Sequence, residues 1–145
     1  MRLIIQRVHS ASVDINNSTH NVIENGLLCF VGFCDEDEKS DFDWAINKIT
    51  NLKLFKNQNS VKQIRGELLI ISQFTLFASV KKGTKPSWSK AANPVVAKKM
   101  YADFVEICRD QMGDQVKDGV FGANMQIQSV NDGPVTLILD TKNKE

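Results

Sequence analysis

The chain has few of the side chains that carry most covalent and metal chemistry. Only three cysteines and two histidines, His9 and His20, occur in 145 residues. The cysteines, Cys29, Cys34 and Cys108, lack Cys-x-x-Cys spacing and lie among apolar residues, which predicts buried free thiols in a reducing cytoplasm. Neither histidine has ligand spacing to a cysteine, so we expect no metal site, and nothing in the chain indicates a cofactor.

Long apolar runs and a charge of one sign are also absent. No stretch approaches the roughly 18 residues of a membrane span, and the first residues enter a strand pattern without a cleavage site. The net charge is +1, so composition gives no global case for nucleic acid. Hydrophobic residues at 42% and charged residues at 24% are typical of a folded globular chain. The chain contains neither a Gly-x-Ser-x-Gly elbow nor a Cys-His-Asp arrangement, so no motif indicates a hydrolase with a side-chain nucleophile.

Lysines are concentrated in one segment. Residues 79–102 contain no acidic residue and six lysines, which are Lys81, Lys82, Lys85, Lys90, Lys98 and Lys99. A local basic patch of this kind neutralises phosphates even on a protein of low net charge. A solvated lysine-rich loop is an equally good interpretation of the same residues.

Apolar periodicity predicts strands at both ends of the chain and two helices between them. The first helix is predicted to open with a capping box of Ser40 and Asp43. The second is predicted to run from an Asn93 N-cap and Pro94 to Gly113. The predicted strands are 3–15, 26–33, 68–78, 116–121, 124–130 and 135–139, and the apolar stripe of the first helix is Phe42, Ala45, Ile46, Ile49 and Leu52.

This order of elements predicts one α+β domain over residues 1–145. We expect a curved, barrel-like mixed or antiparallel sheet with two main helices packed on it. The polar tail 141–145 is predicted to be frayed.

Ser72-Gln73-Phe74-Thr75 places polar groups at the end of the apolar strand 68–71. In an extended chain Gln73 and Thr75 share a face, where an amide and a hydroxyl could bind a carbonyl oxygen, a ribose hydroxyl or a water. Polar residues at a strand end more often satisfy backbone groups, so the residues alone favour that interpretation over a binding site.

Gly133-Pro134 lies between two strand-like runs, in Asn131-Asp132-Gly133-Pro134. Proline fixes its own φ and cannot donate a hydrogen bond, and glycine tolerates backbone shapes that other residues avoid. The residues alone predict a tight turn between two strands.

The two segments together resemble the paired signatures of the D-aminoacyl-tRNA deacylases. The similarity extends from the opening segment 1–13 to residues 119–123 and covers nearly the whole chain. It implies a homodimeric carboxylic ester hydrolase that removes D-amino acids, and glycine, from tRNA. It further implies a cis Gly133-Pro134 bond that enters the neighbouring subunit's pocket and excludes L side chains as a chiral gate.

The resemblance also assigns roles to individual residues. The catalytic segment is Ser72, Gln73, Phe74 and Thr75; the pocket residues are Arg7, Phe121, Ala123 and Met125; the tRNA contacts are Lys81, Lys82, Lys85 and Trp88. The partner is aminoacyl-tRNA, through its 3′-terminal adenosine and acceptor stem. By their spacing alone, Phe121 and Met125 are core residues first, and their pocket role rests on the resemblance.

Thr75 has no base nearby in sequence and is a poor nucleophile without one. We therefore expect water to attack the ester, assisted by the 2′-hydroxyl of the terminal adenosine. Backbone amides near Phe74 and Ala123 would hold the developing oxyanion.

The chain departs from the family pattern in a shorter 55–61 segment, in Asn124 where an aspartate is usual, and in Trp88 where a phenylalanine is usual. Two other functions stay open, a non-catalytic nucleic-acid-binding module and a small-molecule esterase on the same scaffold.

Overall fold

The computed structural model describes residues 1–145, and its sheet is organised around one long N-terminal strand. The strands are β1 (Arg2–Ile15), β2 (Ser18–Ile23), β3 (Gly26–Gly32), β4 (Glu67–Ser72), β5 (Val116–Asp118) and β6 (Met125–Asp140). The helices are α1 (Lys39–Asn51) and α2 (Pro94–Met112), with short 3₁₀ turns at Lys56–Gln58, Phe74–Phe77 and Gly113–Gln115.

The sheet is mixed. Along one edge of β1, residues 11–15 pair with β2 and residues 2–8 pair with β3, and β4 and β5 follow β3. Strand β6 pairs along the other edge of β1. The β3–β4 and β4–β5 pairs are parallel, whereas every pair made by β1 is antiparallel. The sheet curves into a nearly closed barrel, and the Asn21 side-chain amide of β2 reaches the Asp118 carbonyl of β5 at 2.7 Å. The predicted α+β fold with a barrel-like sheet and two helices is confirmed.

Two apolar cores hold the sheet and helices together. The larger core packs α1 and α2 on the sheet, with Phe42 and Phe104 in edge-on contact at 5.7 Å between ring centres. The smaller core contains Val8, Leu69 and five other buried residues. Burial of this apolar surface is the main stabilising term.

The three cysteines are free and buried, as predicted. Burial raises the pKa of the Cys108 thiol to about 12. Burial and a hydrogen bond to Asp37 raise the pKa of Cys34 to about 11. Both side chains therefore stay protonated and serve as core residues.

The two helix starts differ in how well local rules predicted them. In α2 the Asn93 side chain accepts from the Val95 N–H at 3.0 Å, Pro94 is the first helical residue and Gly113 is the C-cap, as predicted. In α1 the predicted capping box of Ser40 and Asp43 is wrong. Glu38 is the N-cap and donates its N–H to Asp41 at 2.9 Å.

The helix begins at Lys39, so Ser40 and Asp43 lie inside it, and Asp43 pairs with Lys39 one turn away at 2.6 Å. Leu52, expected on the apolar stripe, is the C-cap just beyond the end of α1.

Several predicted strands are too long, and one was missed. The strand predicted over 68–78 ends at Ser72 because the chain turns into the 3₁₀ segment Phe74–Phe77. The strand predicted over 116–121 ends at Asp118, and that over 26–33 ends at Gly32. The strand β2 was not predicted because its residues are mostly exposed and have no apolar alternation.

The predicted tight turn at Gly133-Pro134 is wrong, because residues 125–140 form one continuous strand. Val8 pairs with Asn131 and Gln6 with Thr136, so β6 advances five residues while β1 advances two. The three extra residues make a bulge that includes the Gly133-Pro134 peptide, which is cis.

The tail begins as an anchored segment, contrary to the predicted fraying. Thr141 is 4% exposed, and its hydroxyl accepts from the Met1 amino group at 2.7 Å. The Lys142 ammonium donates to Asp41 and to the Glu36 carbonyl, both at 2.7 Å. The first two tail residues therefore tie β6 to the start of α1.

Candidate active site

A cavity of about 640 Å³ opens where the parallel strands β3 and β4 end. Three further segments complete its wall: residues 71–74, residues 91–94 and residues 121–125. The Ala92 N–H donates to the Phe33 carbonyl at 2.9 Å, which fixes the start of α2 against the end of β3. The volume and the mostly apolar wall are typical of a site for a small molecule or for one end of a larger one.

No titratable side chain lines this cavity. Its polar side chains are Ser72, Gln73, Asn93 and Asn124, together with the indole of Trp88. Bond cleavage in this cavity would therefore depend on hydrogen bonds, on backbone groups and on functional groups of the ligand itself.

The predicted catalytic segment follows β4 into the cavity wall. The Gln73 N–H donates to the Val31 carbonyl at 2.8 Å, after which the chain leaves the sheet. Gln73 and Thr75 do come together, since the Gln73 amide donates to the Thr75 hydroxyl. The 3₁₀ turn brings them together, and not the predicted alternation of an extended strand. Ser72, Gln73 and Phe74 line the cavity, whereas Thr75 does not.

Free backbone donors occur at the start of this turn. The first hydrogen bond of the turn runs from the Leu76 N–H to the Gln73 carbonyl, at 3.2 Å. The N–H groups of Phe74 and Thr75 precede it and have no acceptor within the turn.

The opposite wall contains the three predicted residues Phe121, Ala123 and Met125. A Cβ on Gly119 would lie 2.6 Å from the Met125 sulfur, so a glycine there lets this side chain reach the wall. The Ala123 N–H donates to the Val120 carbonyl at 3.1 Å and is already used within its turn. Of the two amides expected to hold an oxyanion, only that of Phe74 is unpaired within its own turn.

The Gly133-Pro134 bulge and Arg7 do not line the cavity of their own chain. They lie together elsewhere, because Arg7 forms an ion pair with Asp132 at 2.8 Å and donates to the Leu54 carbonyl. His9 lies 3.6 Å from the same carboxylate. Within one chain, the catalytic segment 72–75 and the Gly133-Pro134 bulge therefore lie apart, although the resemblance assigned both to one site. The ion pair of Arg7 with Asp132 was not predicted from the sequence.

The predicted tRNA-contacting lysines lie on a loop with a closed neck. Ser79 and Ser87 exchange two backbone hydrogen bonds of 2.8 and 3.0 Å. Lys81, Lys82 and Lys85 lie between them, are exposed, and have no acidic partner within 4 Å. Their positive charge is therefore available to a ligand.

Trp88 follows the neck and returns to the cavity rim. Its ring contacts that of Phe74 edge-on, with the ring centres 5.3 Å apart. Residues 91–94, which the sequence analysis treated only as a helix start, also line the cavity. No local signal marks them, because only the packing of α2 brings them there. No helix of the structure is both long and apolar enough to cross a membrane.

The fold and site define a class of small barrel-like α+β proteins whose cavity combines an apolar wall with backbone donors and no ionisable side chain. The family model described as D-Tyr-tRNA(Tyr) deacylase matches residues 4–140. The chain belongs to this family.

Relatives match over their full length. The chain is 45% identical to a D-aminoacyl-tRNA deacylase of Flavobacterium psychrophilum and 47% identical to one of Parabacteroides distasonis, with all of both chains covered. A solved c-Myc DNA unwinding element binding protein superposes with a TM-score of 0.91 at 35% identity, over 97% of this chain and 98% of that one. A probable eukaryotic D-amino acid tRNA deacylase superposes at 0.84 with 18% identity, over 95% and 97%, which supports the fold alone.

Proposed function

We propose that this protein is an editing hydrolase that cleaves the ester between a D-amino acid and the 3′-terminal adenosine of tRNA. One observation carries the proposal: the cavity at Gln73 and Phe74 has polar and backbone donors but no ionisable side chain. An aminoacyl ester is already activated, so a site of this kind is sufficient for its hydrolysis. The family and the full-length relatives point to the same reaction.

In the proposed mechanism a water oxygen adds to the ester carbonyl carbon while the adenosine 2′-hydroxyl relays its proton. The Phe74 N–H stabilises the oxyanion that forms on the former carbonyl oxygen. Collapse of this intermediate breaks the bond to the 3′-oxygen, which takes the relayed proton. The products are a free D-amino acid and deacylated tRNA. The hydrogen bond between Gln73 and Thr75 keeps the turn in shape for this step.

The proposal includes a homodimer in which Gly133 and Pro134 of one subunit enter the cavity of the other. Two features support it. Both residues are exposed on a bulge that does not reach the cavity of its own chain. Further along β6, Ile138 is 77% exposed and stands opposite Ile4 of β1. This apolar surface is available for a second copy of the chain to cover.

Such a gate would reject L-aminoacyl esters by steric conflict with their side chains, and D side chains would point away. Glycine has no side chain to exclude, so glycyl-tRNA is a further expected substrate.

A second candidate function is nucleic-acid binding without catalysis. The unpaired lysines of the 79–87 loop favour it, and one structural relative is described as binding a DNA unwinding element. This function predicts binding of RNA or DNA with no loss of ester. The small-molecule esterase predicts hydrolysis of simple esters with no requirement for RNA.

A deacylation assay with the D- and L-forms of one amino acid on the same tRNA distinguishes the three functions. We expect the D-ester to be cleaved faster by a factor of about 10² or more. Equal rates for both enantiomers would contradict the proposed chiral gate. Binding without turnover would favour the second candidate, and equal turnover of an aminoacyl ester lacking RNA would favour the esterase.

A further inference from the structure

Two aromatic side chains form an exposed pair at the rim of the cavity. Phe74 is 56% exposed and Trp88 is 42% exposed, and their planes meet at 74°. In this arrangement the edge of one ring meets a face of the other, so the two rings are not stacked flat on each other. An exposed aromatic face beside a basic loop is a typical stacking surface for an unpaired nucleobase.

Both rings stand on backbone segments that hydrogen bonds hold in place. Phe74 is the first residue of the 3₁₀ turn that follows β4. Trp88 follows the Ser79–Ser87 neck directly, and its carbonyl accepts from the Ala91 N–H at 3.0 Å. A ligand that stacks there meets rings that need little ordering, which favours affinity.

The surface changes in a fixed order from the inside of the cavity outwards. The inner wall is apolar, the rim carries the two rings, and the loop beyond carries lysines without acidic partners. The 3′ end of an aminoacylated RNA presents matching groups in the same order: the amino acid with its terminal nucleoside, the preceding base, and then further phosphates.

We propose that Trp88, supported by Phe74, stacks with the nucleobase immediately 5′ of the terminal adenosine. The site therefore recognises the last two nucleotides of the RNA and not the aminoacyl-adenosine alone. This inference rests on the proposed deacylase function. A cavity of about 640 Å³ is large enough for the aminoacyl-adenosine itself, which leaves the rim to the next base.

The test compares one D-amino acid esterified to adenosine, to the dinucleotide cytidylyl-adenosine and to whole tRNA. We expect Trp88→Leu to lower kcat/KM for the dinucleotide and tRNA esters by about 5- to 100-fold. The loss on the adenosine ester should be clearly smaller, because that ester lacks the stacked base. Trp88→Phe should keep most of the dinucleotide activity. Trp44→Phe, at a partly buried position of α1 that does not line the cavity, is the control and should change none of the three rates.

Equal loss on all three esters would overturn the inference, since Trp88 would then contact the terminal nucleoside or the amino acid. No loss on any ester would overturn it as well. Thermal unfolding of each variant shows whether a loss reflects unfolding.

A second measurement does not depend on turnover and so separates this inference from the proposed function. In Trp44→Phe protein, Trp88 is the only tryptophan. Cytidylyl-adenosine without an esterified amino acid should quench its fluorescence in a saturable way, and more strongly than adenosine at the same concentration. Identical responses to the two ligands would contradict stacking of the preceding base, even in a protein that hydrolyses no ester.

Discussion

The guanidinium of Arg7 lies 2.8 Å from the Asp132 carboxylate, and this ion pair links two irregular points of the sheet. Arg7 lies on β1 where the register with β6 shifts, and Asp132 is the first residue of the β6 bulge opposite it. Both side chains are largely shielded, at 18% and 31% exposed. The pair therefore positions the Gly133-Pro134 bulge from its own chain.

The first prediction concerns this pair. Arg7→Met should destabilise the protein by about 1–3 kcal/mol, because it leaves a half-buried carboxylate without its cationic partner. It should also lower the preference for D- over L-aminoacyl-tRNA, since the bulge loses its support. Urea unfolding and paired deacylation rates measure the two effects. Lys39→Ala breaks the exposed pair with Asp43 and is the control, with an expected cost within about 0.5 kcal/mol. An unchanged D/L ratio in Arg7→Met would show that the pair has no positioning role.

The second prediction concerns Gly133. An added Cβ meets only the Asn131 amide at 3.5 Å, an ordinary contact, so Gly133→Ala should fold with stability within about 0.5 kcal/mol of the parent. In the proposed dimer the new methyl projects into the other subunit's site. We expect deacylation to fall by about tenfold or more.

Mixing gives a direct test of the arrangement in trans. Refolding Gly133→Ala together with Gln73→Ala creates heterodimers in which one site has an unmodified cavity and an unmodified gate. Activity should rise above that of either variant alone. Purely additive activity would contradict a gate supplied by the second subunit.

The third prediction concerns Thr75, whose hydroxyl accepts from Gln73 and does not line the cavity. If water is the nucleophile, Thr75→Ala loses one hydrogen bond within the turn and should reduce kcat by no more than about tenfold. Thr75→Ser restores the acceptor and should recover most of the rate. Loss of all measurable activity in folded Thr75→Ala, with an acyl-enzyme trapped on the wild type, would establish a nucleophilic threonine.

The fourth prediction concerns the loop lysines. Replacing Lys81, Lys82 and Lys85 together by alanine should weaken tRNA binding. The slope of log K for tRNA binding against log salt concentration should become shallower by about 0.7–0.9 for each phosphate that the loop no longer neutralises. The adenosine ester should be cleaved as before. Replacing the exposed lysines Lys53, Lys56 and Lys62 is the matched control. An equal effect of both triple variants would show that the loop lysines act only through the general positive charge of the protein.

The fifth prediction concerns acid stability. Burial disfavours ionisation of Asp41, but hydrogen bonds from Lys142, from the Glu38 backbone and from Thr141 outweigh it and lower its pKa to about 2 from 3.8. A lowered folded-state pKa stabilises the protein above about pH 4, and this contribution is lost as the pH falls towards 2.

Lys142→Met removes the charged donor to Asp41. It should lower the free energy of unfolding at pH 7 and lower it much less at about pH 2.5, where Asp41 is partly protonated in the parent. Urea unfolding at both values measures this. A cost that is the same at both values would show that Lys142 acts only through its other contact, with the Glu36 carbonyl.

Local sequence rules succeeded where the deciding contacts are local. Asn93, Pro94 and Gly113 mark the ends of α2 through hydrogen bonds and dihedral preferences within a few residues. The same rules failed at α1, where Asp43 is drawn to Lys39 and Asp41 takes the capping position. Two carboxylates within one turn offer local reasoning no basis for choosing between them.

The amino-acid sequence by itself determined the two helices, most of the strands, the buried thiols and the two signature segments, because periodicity and turn chemistry act over short distances. Only the tertiary structure decided that Gly133 and Pro134 lie on a bulge of one strand, away from the cavity of their own chain. The register between β1 and β6 joins residues more than a hundred positions apart. It depends on how the whole sheet packs, which no local pattern encodes.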